Sequence, residues 1–128
     1  MSEPRAAEAG ARWLEVATED LRVGAHLAAT PSLPPRSAAY FAHQAAEKAL
    51  KAAAASTGAE PPRTHDLVRL AHLAHSTIAD EDLRILTDAH VQAQYPDPGA
   101  PAYDIATVLV LLETSSQVVA DVQGLLAG

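Results

Sequence analysis

The stretch Ala39-Tyr40-Phe41-Ala42-His43-Gln44-Ala45-Ala46-Glu47-Lys48-Ala49-Leu50-Lys51-Ala52 decides how this chain folds. It holds no glycine or proline, and alanine, the strongest helix former, recurs through it. At helical spacing Phe41, Ala45, Ala49 and Ala52 make a slim stripe of mostly small side chains, against which a second helix can approach closely. Gln44, Glu47, Lys48 and Lys51 read as ordinary surface pairs, with Glu47 and Lys51 favourably spaced on one turn. Pro34 and Pro35 sit where a helix can begin and Gly58 where it can stop, so the predicted helix runs from Arg36 to Ser56.

Working outward, the remaining prolines mark the other boundaries, at Pro31, at Pro61 and Pro62, and at Pro96, Pro98 and Pro101. A first helix is predicted from Arg5 to Ala29, with Trp13, Leu14, Ala17, Leu21, Ala25 and Ala28 on its apolar side. A third begins at Thr64 as N-cap and turns Leu67, Leu70, Ala71 and Ala74 inward, leaving His65, Arg69 and His72 on the opposite side. Asp80, Glu81 and Asp82 suit the first turn of a fourth helix ending near Ala93. The last, from Ala102 to Leu126, is apolar round most of its circumference, which calls for cover from its own bundle and from a second subunit. The expected architecture is all-α: an antiparallel bundle of about five helices, a four-helix up-and-down core plus a short extra helix, in one domain over residues 1–128 and homodimeric through the last helix.

Composition narrows the function classes. Asp and Glu number 16 against 9 Lys and Arg, a formal charge of -7, which argues against a broad phosphate-binding surface. Without cysteine there is no disulfide framework, thiolate metal site or cysteine nucleophile. Glu3, Arg5, Glu8 and Arg12 interrupt any secretory pattern, and the strongly apolar run from Val108 to Leu112 is too short to cross a bilayer, so a soluble cytoplasmic protein is expected. His72 and His75 do not pair with carboxylates in a way that suggests a metal site, and no cofactor-binding loop is legible.

Four blocks, in order, resemble the HEPN domain family of bacterial and archaeal helical bundles. They are Trp13-Leu14-Glu15-Val16-Ala17-Thr18-Glu19-Asp20-Leu21, the Ala39 to Ala52 stretch, Thr64-His65-Asp66-Leu67, and Gln94-Tyr95-Pro96-Asp97, where the family usually has Arg-Tyr-Pro-Asp. The resemblance implies a dimer working beside a small nucleotidyltransferase in a toxin–antitoxin type of pair, in contact with a nucleotide or RNA. It marks His43, Glu47, Lys51, His65, Gln94 and Tyr95 as the candidate ligand or partner surface, and Tyr95 as the hydroxyl to which such a partner would add a nucleotide.

Active members of the family resemble metal-independent ribonucleases, with an Arg followed after roughly four to six residues by a His. There an imidazole moves the proton of the ribose 2′-hydroxyl and a guanidinium holds the phosphate. Arg84 and His90 satisfy that spacing and are the candidate catalytic pair of this alternative reading. Six helical positions turn about 240°, so the two share no face of one regular helix and would meet only through a kink or a second subunit.

Overall fold

The computed structural model describes residues 3–94 and 103–128. Helix α1 spans Glu3–Ala28, α2 Pro35–Ser56, α3 Leu67–Ala74, α4 Asp80–Gln94 and α5 Ile105–Ala127, with no strand among the described residues. Pro34 caps α2 with an extended backbone and Pro35 supplies its first helical residue, a place where a missing N–H costs nothing. Gly58, at φ 89, occupies the left-handed region just past the end of α2.

Helix α2 is the hub of the bundle and packs against each of the other four helices. Ala38, Ala39, Ala42, Ala45, Ala46, Ala49, Leu50 and Ala52 are completely buried, so the predicted slim stripe is in fact most of the circumference. Helix α1 runs antiparallel to α2 at close range. Its Gly10 lies against Ala52 and Ser56, and its Gly24 against Ala38 and Phe41. The buried positions of α1 are Ala6, Gly10, Ala17 and Gly24, which corrects the predicted stripe: Ala25 is exposed and the neighbouring glycine faces inward. The hydropathy pattern gave glycine no apolar weight, whereas close approach of two backbones selects it.

Asp66, rather than Thr64, is the N-cap of α3 and accepts from the Val68 and Arg69 N–H groups at 3.1 and 3.3 Å. Thr64 Oγ1 instead accepts from the Asp66 N–H at 3.1 Å, which leaves His65 in the turn before the helix. His75 ends α3 in the left-handed region at φ 55. Helix α4 then buries Leu83, Leu86, Ala89 and His90.

Helix α5 begins at Ile105, later than expected, because Asp104 caps it by accepting from the Thr107 N–H at 2.7 Å. Val108, Leu111, Leu112, Ser115, Val118, Val119 and Val122 form its buried side, and Ser115 Oγ donates to the Ala42 carbonyl at 2.6 Å. Its other side leaves Ile105, Leu109 and Val110 at 46%, 54% and 64% exposure, an apolar surface this subunit does not cover. Taken as a whole helix rather than as its Val108 to Leu112 run, α5 is long and apolar enough to cross a membrane, and in this structure it packs on α1, α2 and α4.

The close approach of α1 to α2 makes one chemical change act with opposite sign at two sites. A Cβ on Gly10 would lie 3.0 Å from Ser56 Cβ and 3.1 Å from the Ala52 carbonyl oxygen, whereas one on Gly124 would meet nothing within 4 Å. Gly10→Ala is expected to destabilise by about 1–3 kcal/mol through overpacking, less the helix-propensity gain. Gly124→Ala should stabilise by about 0.5–1 kcal/mol. Urea denaturation of both variants checks the pair.

Candidate functional site

The hub position of α2 carries polar side chains into the interior along with its alanines. His43 is completely buried, and Glu47 and Lys51 are 4% and 9% exposed. This corrects the reading of Glu47 and Lys51 as surface pairs and places the candidate His43 in the interior. Their spacing still pairs them, since Lys51 Nζ donates to Glu47 Oε2 at 3.2 Å. The same ammonium lies 5.8 Å from the centre of the Trp13 ring of α1. Lys48 and Asp20 make an ion pair between α2 and α1 nearer the surface.

His65 enters from the turn before α3 and is fixed twice. Its Nδ1–H donates to Glu47 Oε1 at 2.6 Å, and its backbone carbonyl accepts from His43 Nε2–H at 3.1 Å. His90 arrives from α4, with its ring centre 4.2 Å from that of His43 and 4.6 Å from that of His65. Gln44 Nε2 reaches toward His90 Nδ1 at 3.5 Å, and the Tyr40 ring stacks on His90 at 5.7 Å between centres. Three elements separated in sequence thus bring three imidazoles and one carboxylate together under α2.

Charge in this cluster is set by burial. His43 is driven down to about 4, chiefly because desolvation disfavours its cation. It is therefore neutral near pH 7, with its proton on Nε2 and an Nδ1 lone pair that is buried without a hydrogen-bond partner, 3.9 Å from Glu47 Oε1. His90 is lowered as well, by desolvation first and by His65 second. Burial pushes the Glu47 carboxyl up, but the His65 hydrogen bond and the charge and hydrogen bond of Lys51 outweigh it, leaving the group below its ordinary value.

Among the expected site residues, His43, Glu47, Lys51 and His65 form one cluster. The expected catalytic pair does not meet within the subunit. α4 is continuous from Asp80 to Gln94, Arg84 is exposed, and His90 is 5% exposed on the buried side. Gln94 ends α4, while Tyr95 lies outside the described residues. Arg36 lines a groove of about 320 Å³ with Ser37, Tyr40, Phe41 and Ala93, beside the ring that stacks on His90. His72 Nε2–H donates to the Asp80 carboxylate at 3.0 and 3.2 Å, and no group of three or more His, Asp or Glu among the described residues could hold a metal ion.

The HEPN domain family model matches residues 11–125. Solved structures similar to this chain include the following two. TT1696 from Thermus thermophilus shares 23% identity over 90% of this chain and 96% of that one, with a TM-score of 0.77. ST0689, an archaeal HEPN homologue, shares 22% over 91% and 97%, with a TM-score of 0.69. At these identities the likeness shows the fold. No curated protein matches the chain.

The buried imidazole gives the site a pH signature. Above pH 6.5 His43 is neutral in both states; as pH falls, the unfolded chain takes up the proton first, so stability drops until the folded group also titrates near 4. The loss between pH 7.5 and pH 4 should reach about 3 kcal/mol from this residue alone. His43→Leu should flatten that part of the pH–stability curve, as followed by chemical denaturation at each pH.

Proposed function

The chain belongs to the HEPN domain family, and from that premise we propose that it is a homodimeric, nucleotide-associated interaction module that works beside a small nucleotidyltransferase, in a pair of the toxin–antitoxin type. The observation that carries this reading is the uncovered apolar side of α5 at Ile105, Leu109 and Val110. Such a surface on a helix otherwise packed into the bundle favours a protein contact, with a second copy as the simplest occupant because the same patch then covers itself. The buried Glu47, His43 and Lys51 cluster, open to solvent at His65, supplies the ligand-facing side.

The rival reading, a metal-independent ribonuclease, has less support. It needs a guanidinium and an imidazole on one phosphodiester, yet Arg84 is exposed while His90 lies buried against α2 and Gln44. Only a dimer that brought two copies of α4 together and opened the His90 pocket would assemble that pair.

Two measurements test the proposal. Sedimentation at micromolar concentration should give a dimer, and Leu109→Asp with Val110→Asp should return a helical monomer; a wild-type monomer that also fails to bind the neighbouring gene's product would overturn it. RNA incubated with the purified chain in EDTA should remain intact. Cleavage that is lost in His90→Ala would transfer the assignment to the ribonuclease.

A further inference from the structure

The Glu47–His65 pair joins a buried carboxylate to an open imidazole. The Glu47 side chain is 5% exposed and that of His65 is 63% exposed. The His72–Asp80 pair has similar atoms but lies in solvent on both sides, at 66% and 42%. In the first pair the carboxylate is held in place by Lys51, the imidazole is oriented at Nδ1, and the backbone behind it is pinned by His43. Because Nδ1–H is committed to Glu47, Nε2 is the nitrogen whose lone pair the neutral form of this exposed ring offers to solvent. A structural cross-link between α2 and the turn would need the contact but not that exposure.

We propose that His65 Nε2 is a phosphoryl-acceptor atom, a nucleophile toward phosphoryl donors that is oriented and charge-balanced by Glu47. The Nε2 lone pair bonds to phosphorus while the bond from phosphorus to the leaving group breaks, and the leaving group departs with that electron pair. From phosphoramidate, whose nitrogen is already protonated, the product is ammonia. The Nδ1 proton stays in its hydrogen bond to Glu47, whose negative charge offsets the positive charge gained by the ring. No oxidation or reduction is involved. The inference is independent of the nucleotidyltransferase reading, because every group in it belongs to this chain.

The test uses the full chain and potassium phosphoramidate at neutral pH, with sites mapped by mass spectrometry under non-acidic conditions. The acceptor role predicts that His65 gains an acid-labile phosphoryl group at least about tenfold faster than His72, the solvent-exposed comparison within the same molecule. Glu47→Gln should lower the His65 rate by about tenfold and leave the His72 rate unchanged. Labelling of His65 at or below the His72 rate overturns the proposal in the unaltered protein, whether or not the variant folds. An unchanged His65 rate in a Glu47→Gln protein of normal helicity overturns the role of Glu47.

Discussion

The close approach of α1 to α2 governs the rest of this molecule. Gly10, Ala17 and Gly24 present almost no side chain, and the alanines of α2 present little more, so the two backbones lie nearly in contact. That proximity leaves the remaining circumference of α2 available to α3, α4 and α5. A helix packed against four others keeps only a narrow solvent face for its polar residues. His43, Glu47 and Lys51 are inside for that reason, and the bundle has to satisfy them there.

It does so by using one residue to answer another. Lys51 offsets the charge of Glu47, Lys51 and His65 both hydrogen-bond it, and the His65 carbonyl accepts a hydrogen bond from His43. The cost remains at His43 Nδ1, an acceptor facing a carboxylate with no donor between them. Networks of this kind fix relative positions strongly, because displacing any member strands the others. Here the network ties α2 to the turn before α3 and places His90 of α4 against both histidines.

The all-α architecture was legible because helix propensity, proline punctuation and charged first turns agree along this chain, as at Pro35 and at Asp80 to Asp82. The inward face of α1 was misread by one residue, since an apolar scale cannot rank Gly24 above Ala25. Burial of Glu47 and Lys51 was hidden for a different reason. Their spacing is that of any surface pair, and only the number of helices around α2 decides which side of the protein they occupy. His65 was recognised as a candidate but assigned to a helix, because Thr64 and Asp66 both qualify as N-caps and geometry alone chooses between them.

An alanine-built centre also shapes how the protein responds to temperature. Alanine loses no side-chain rotamer freedom when it is fixed, so ordering α2 costs less entropy than ordering a leucine-rich helix of equal length. It also withdraws less hydrocarbon from water, and exposed hydrocarbon is what raises the heat capacity of an unfolded chain. Unfolding should therefore carry a heat-capacity increment at the low end of the range for domains of this size. The stability curve should be correspondingly shallow, with little to lose on cooling and a wide interval over which the fold is held by nearly the same free energy.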